Sequence, residues 1–131
     1  MTNIFPVLRY RDPEAALAWL QKAFGFREVV VYRGDDGSVG HAELRLGAGM
    51  IMLGQSKGDG WLGGAAPDPL ASPVSIYVRV DDPTAHCERA VAGGATIARE
   101  LETMDYGSVE YSARDLEGHL WSFGSYDPCA A

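Results

Sequence analysis

Between positions 39 and 46 apolar and polar side chains alternate. Ala42, Leu44 and Leu46 fall on one side and His41, Glu43 and Arg45 on the other, which predicts a strand with one buried face. Around it the chain reads as a series of similar elements. Positions 4–10 predict a strand; Asp12 and Pro13 are a helix cap and a first helical residue, Leu17, Leu20 and Phe24 recur at helical spacing, and Gly25 ends the helix. Positions 26–32 and 50–53 predict further strands, the first followed by the turn Asp35-Asp36-Gly37 and the second preceded by Gly47-Ala48-Gly49. The pattern breaks over positions 55–73, where Gly and Pro cluster around Trp61, and this stretch reads as a linker.

The same order then returns. A strand over 75–80 leads to Asp82-Pro83 and a helix with Cys87, Ala90 and Val91 inward; strands over 96–101, 109–113 and 120–123 follow. Asp12-Pro13 matches Asp82-Pro83, Gly37-Ser38-Val39 matches Gly107-Ser108-Val109, Leu46 matches Leu116 and Gly54 matches Gly124, all at an offset of 70. This predicts an α+β fold of two duplicated βαβββ modules (1–54 and 74–126), joined by the linker into a single domain over 1–131. The helices are expected on one face of the sheet, the convex one, with a concave face opposite.

The helices need an apolar sheet face to cover. Leu8 and Tyr10, Leu44 and Leu46, Ile51 and Leu53, Ile76 and Val78, Trp121 and Phe123 supply it. The concave face then carries Phe5, Val7, Arg9, His41, Glu43, Met50, Met52, Ser75, Tyr77, Arg79, Tyr111, Leu120 and Ser122, a mixture of aromatic, thioether and charged groups suited to a ligand. Arg9 and Arg79 are repeat equivalents, as are His41 and Tyr111.

Charge narrows the ligand classes. The net charge is −7 and Lys and Arg are not clustered, which speaks against nucleic acid and anionic membranes as partners. No apolar run approaches the ~20 residues of a membrane span, and Cys87 and Cys129 lack a Cys-x-x-Cys spacing; both read as reduced thiols of a cytoplasmic protein. Glycine-rich phosphate loops, a Gly-x-Ser-x-Gly elbow and a His-Glu-x-x-His helix are missing from the sequence.

His41 and Glu43 are the candidate catalytic pair, with Glu43 or His41 as a base; the alternative is an exposed strand histidine and a carboxylate paired with a nearby Arg. His86 reads as a solvated helix residue and His119 as part of a turn. Arg9 and Arg79 read as solvated rim charges or as a clamp for an anionic group, and Trp61 as a lid or dimer contact.

The strand-then-Asp start followed by Ala15-Ala16, the Phe24-Gly25-Phe26 helix end and the closing Asp115-x-x-Gly118-His119 turn resemble the glyoxalase, bleomycin-resistance and extradiol-dioxygenase group, the vicinal oxygen chelate superfamily, over essentially the whole chain. The closing stretch resembles the bleomycin-resistance-like and PhnB-like members most. The resemblance implies paired βαβββ modules forming an open, cup-shaped mixed sheet with the helices on its convex face, and a ligand cup. In the family's metal enzymes, His, Glu or Gln on the first strand and Glu on the last strand of each module hold a metal. Those positions here are Phe5, Met52, Ser75 and Ser122, so the expectation is a site with no metal and no cofactor.

The reading is a small-molecule binder, metal-independent and of the drug-sequestering kind, with a lyase, isomerase or dioxygenase of atypical site residues as the alternative. The expected ligand contacts are Phe5, Arg9, His41, Glu43, Met52, Trp61, Tyr77, Arg79, Tyr111 and Ser122. The expected ligand is planar and aromatic, with an acceptor group between Arg9 and Arg79, and the resemblance implies a homodimer.

Overall fold

The computed structural model describes residues 3–56 and 68–130. It divides into two units, Met1–Asp68 and Pro69–Ala131. Trp61 lies outside the described residues.

In the first unit, β1 (Val7–Tyr10) is followed by α1 (Pro13–Trp19), which continues as a π-helical turn over Leu20–Phe24. Strands β2 (Arg27–Arg33), β3 (Val39–Leu46) and β4 (Gly49–Gln55) complete it, in the sheet order β1-β4-β3-β2. The second unit runs β5 (Ile76–Arg79), α2 (Pro83–Ala92), β6 (Thr96–Thr103), β7 (Val109–Arg114) and β8 (Leu120–Gly124), in the order β5-β8-β7-β6. In each sheet one parallel pair, β1 with β4 or β5 with β8, joins two antiparallel ones. The α+β fold of repeated βαβββ modules is therefore present, as two four-stranded mixed sheets.

The caps behave as their chemistry dictates. The Asp12 carboxylate accepts from the Ala15 N–H at 3.0 Å and Asp82 from the Ala85 N–H at 3.1 Å, while Pro13 and Pro83 occupy first-turn positions that need no donor. Gly25, at φ 87°, ends the first helix in the left-handed conformation.

Each helix covers one sheet face. In the first unit Leu8, Tyr10, Ala42, Leu44, Ile51 and Leu53 are buried against Ala16, Leu17, Leu20 and Phe24. In the second, Tyr111, Trp121 and Phe123 have no exposed surface and lie on the α2 side. Burying an aromatic or Leu side chain of this kind stabilises by roughly 1.5–3 kcal/mol, so these few positions fix which face turns inward.

Two positions differ from the gapless repeat, and both corrections have one cause. Tyr32 pairs with His41 and Arg33 with Val39, so Gly40 is an extra residue in β3, a bulge. No such residue stands in β7, where Glu102 pairs with Glu110 and Thr103 with Val109. The second module regains the lost residue in its hairpin: Gly47 and Ala48 join Leu46 to Gly49, whereas Leu116, Glu117 and Gly118 stand between Asp115 and His119. Between bulge and turn the offset is 69. Leu46 corresponds to Asp115, not Leu116, and His41 to Glu110, not Tyr111. Tyr111 instead pairs with Phe123, as Ala42 does with Leu53, and faces the helix.

That placement also corrects His86. Its ring lies 4.2 Å from that of Phe123, and its Nδ1 shares a 2.5 Å hydrogen bond with the Tyr111 hydroxyl. It is part of the α2–sheet contact rather than a solvated helix residue.

Candidate functional site

The face of each sheet away from its helix presents the side chains available to a ligand. In the first unit, Cα pairing sets Val7, Met52 and Glu43 in one row, since Val7 pairs with Met52 and Met52 with Glu43. Val7 is exposed and Met52 half-buried. His41 lies two residues from Glu43 on the same face, and its Nε2 meets Glu43 Oε2 at 2.8 Å. An ionised Glu43 carboxylate only accepts, so the hydrogen of this bond then sits on Nε2. The Tyr32 ring stands beside His41 at 6.0 Å between centroids. The chemistry open to this pair is proton transfer.

Arg9 shares the same face, with Gly54 as its Cα partner in β4. Its guanidinium crosses the space a Gly54 side chain would take, so any side chain there would push Arg9 aside. Phe5 precedes β1 and is partly exposed.

In the second unit the open face is built from Tyr77 and Arg79 of β5, Glu110 and Ser112 of β7 and Ser122 and Gly124 of β8. The pairings Tyr77 with Ser122, Arg79 with Gly124, Ser112 with Ser122 and Glu110 with Gly124 place them together. The Tyr77 hydroxyl and the Glu110 stem converge above Gly124, which again leaves no room for a Cβ. Tyr77 donates to the Tyr126 carbonyl at 2.7 Å, and burial raises its phenol pKa, with Glu110 adding to the shift. Arg79 donates through Nε to the Ser125 carbonyl at 3.4 Å and pairs with Asp81.

Glu110 is buried and paired. It accepts from the Tyr106 hydroxyl at 2.9 Å, and Arg99 approaches its other oxygen at 3.4 Å. The bond to Glu110 raises the Tyr106 pKa, with burial adding to it, so Tyr106 stays a neutral phenol at neutral pH. Beside this cluster an open cleft of about 470 Å³ is lined by Arg79, Tyr106, Ser108, Ser125, Tyr126 and Asp127, among others.

Of the residues expected from sequence, the open face of the first unit groups Arg9, His41, Glu43 and Met52, and that of the second groups Tyr77, Arg79 and Ser122. Tyr111 is enclosed on the opposite side and offers nothing to a ligand on the open face. Tyr106, Glu110, Tyr126 and Asp127 escape sequence reasoning. Tyr106 sits in a turn, Tyr126 and Asp127 follow the last strand, and an offset of 70 puts Tyr111 where Glu110 belongs. Tyrosines flanking the final hairpin are the available signal.

The positions at which the family's enzymes hold metal do not fit one here. Phe5 has no donor atom and Met52 offers only a thioether. The Ser122 hydroxyl bonds to Ser112 at 2.7 Å, and Ser75 precedes β5 on the surface. Among the described residues no three His, Cys, Asp or Glu side chains stand close enough to share an ion. None of the described helices is long and apolar enough to cross a membrane.

Comparison with known proteins agrees with this architecture. The chain is 33% identical over 122 residues to an uncharacterized protein of Mycobacterium bovis, covering 91% of this chain and 80% of the relative. It superposes on the crystal structure of TioX from Micromonospora sp. ML1 with a TM-score of 0.73 and 32% identity, over 94% of each chain. It superposes on a bleomycin-binding protein complexed with bleomycin with a TM-score of 0.70 and 22% identity, over 97% of this chain and all of that one, a likeness of fold. The model of the Glyoxalase/Bleomycin resistance protein/Dioxygenase superfamily matches residues 4–123, and the chain belongs to that family.

Proposed function

We propose that this protein binds and sequesters a small planar aromatic molecule, such as a drug, on the open faces of its sheets, without a metal ion. The observation that carries this reading is the set Phe5, Met52, Ser75 and Ser122 at the family's ligand positions, with the Ser122 hydroxyl committed to Ser112. Sequestration needs a surface and no reacting group. In the first unit Val7 and Met52 supply apolar area on the face where Arg9, His41 and Glu43 add polar contacts; in the second, Tyr77 and Tyr106 supply aromatic area. The bleomycin-bound protein of the same fold supports the choice of a drug-like ligand. The protein works in the cytoplasm, as a homodimer.

A panel of planar aromatic antibiotics, screened by thermal melting with and without a chelator, tests this. The expected result is at least one compound that raises the melting temperature equally in both conditions. Stabilisation that disappears with chelator overturns the metal-free reading.

The 2.8 Å contact of His41 with Glu43 favours one second reading, a proton-transferring lyase or isomerase. Turnover of a candidate substrate that is lost in His41→Gln, with binding retained, would establish it.

A further inference from the structure

We propose that the cleft of the second unit is a subsite for an organic cation, a protonated amine carried on an aromatic or alkyl group. This rests on the small-molecule-binding reading and fixes the charge of what is bound. The argument is the chemistry of the lining. Tyr106 gives its hydroxyl hydrogen to Glu110, so its phenol has only oxygen lone pairs left to offer. Arg79 also lines the cleft; it directs Nε to the Ser125 carbonyl and pairs through Nη1 with Asp81, a carboxylate outside the lining that compensates its charge. Ser108 accepts the Tyr126 N–H at 3.0 Å. Asp127 lines the cleft half-buried; its Oδ1 accepts the Cys129 N–H at 2.8 Å, and its other oxygen meets no donor among the described residues.

The cleft therefore offers an ammonium group the Tyr106 oxygen and the second Asp127 oxygen as acceptors. Its aromatic walls have the same preference. The Tyr106 and Tyr126 rings lie 5.7 Å apart at 74°, so a ring face and a ring edge meet at a corner, and a cation seated over a ring face gains from its quadrupole. Glu110, the buried partner of the Tyr106 hydroxyl, pairs with Arg99 at 3.4 Å, and the Arg99 nitrogens also lie within reach of Glu102. A binder of net charge −7 attracts cations at long range as well.

The test is titration of the full chain, followed by calorimetry and by the tyrosine ring resonances, with three probes of like shape: benzylamine, benzyl alcohol and benzoate, at neutral pH and low salt. The expected result is saturable benzylamine binding that shifts tyrosine resonances, with the alcohol and the acid weaker. Tyr126→Ala and Asp127→Asn, both at surface positions, are expected to weaken benzylamine about two- to fivefold each. Benzoate or benzyl alcohol binding as tightly as the amine overturns the charge assignment alone and leaves a small-molecule binder. Amine binding unchanged in the double variant overturns the placement in this cleft. No saturable binding of benzylamine overturns the proposal, and if the antibiotic panel is also silent the small-molecule reading falls with it.

Discussion

The Tyr111 hydroxyl and Nδ1 of His86 share a 2.5 Å hydrogen bond in the contact between α2 and its sheet, where the rings of Tyr111, Phe123 and His86 pack together. The bond ties the helix to the strand, between a fully buried Tyr111 and a half-buried His86. Tyr111→Phe keeps the ring and removes the partner. We expect a loss of about 1 kcal/mol in urea unfolding, with the tyrosines of the open face unaffected.

The same burial sets an alkaline limit. Desolvation raises the Tyr111 pKa, with Cys87 adding to it, so the folded protein resists ionising this phenol while the unfolded chain ionises near pH 10. A group with a raised folded pKa contributes stability that is whole below its unfolded value and is lost as pH climbs towards the folded one. Stability measured from pH 9 upward is therefore expected to fall from about pH 10, and less steeply in Tyr111→Phe. An identical alkaline profile in the two proteins would remove Tyr111 as the cause.

Asp115 holds the closing turn. Its Oδ1 accepts the N–H groups of Glu117, Gly118 and His119 at 3.0–3.1 Å, and its Oδ2 accepts Trp121 Nε1 at 3.1 Å. Asp115→Asn retains the first set but turns an amide donor towards the indole donor. A cost of about 1–3 kcal/mol is expected in denaturant melts, with a change in tryptophan fluorescence.

Gly124→Ala tests the convergence of Tyr77 and Glu110. The new methyl would stand 2.6 Å from the Tyr77 hydroxyl and 2.7 Å from Glu110 Cγ, so both side chains must move. Overpacking of this kind costs about 1–3 kcal/mol. Thermal melting reads the loss, and the Tyr77 ring signals are expected to shift with it.

Ser122→Glu places one carboxylate where the family's enzymes hold metal. With Phe5, Met52 and Ser75 unchanged, one ligand makes a weak site, because affinity follows ligand number and geometry. Calorimetry with zinc or manganese is expected to show no tight binding; a tight site would mean that other side chains complete the set.

Much of the fold is legible in the amino-acid sequence. The two Asp-Pro caps, Gly25 and the alternation in β3 each report a local requirement of the backbone or of one buried face, and each stands where its chemistry places it. The open face of β3 is readable for the same reason, since His41 and Glu43 follow from the burial of Ala42 and Leu44. The face of β7 is not. Buried Glu110 and Ser112 alternate with buried Tyr111 and Ala113, so burial carries no period there, and the repeat offset is the only guide. The cleft is equally silent, because Tyr106, Tyr126 and Asp127 come together from a turn and a tail whose meeting depends on the long-range register of β7 with β8.

Gly40 and the longer second hairpin together keep both halves the same length while letting them point different residues outward. Moving a single residue from bulge to turn would set His41 against Leu53 and Glu43 against Ile51, driving an imidazole and a carboxylate under the helix and bringing Ala42 and Leu44 to the surface. A duplicated chain of this design therefore holds a discrete selector. One step of slippage, confined to a hairpin and invisible in the chain length, decides which alternate set of side chains meets solvent, and the helix caps and flanking strands need not change for the two halves to acquire different surfaces.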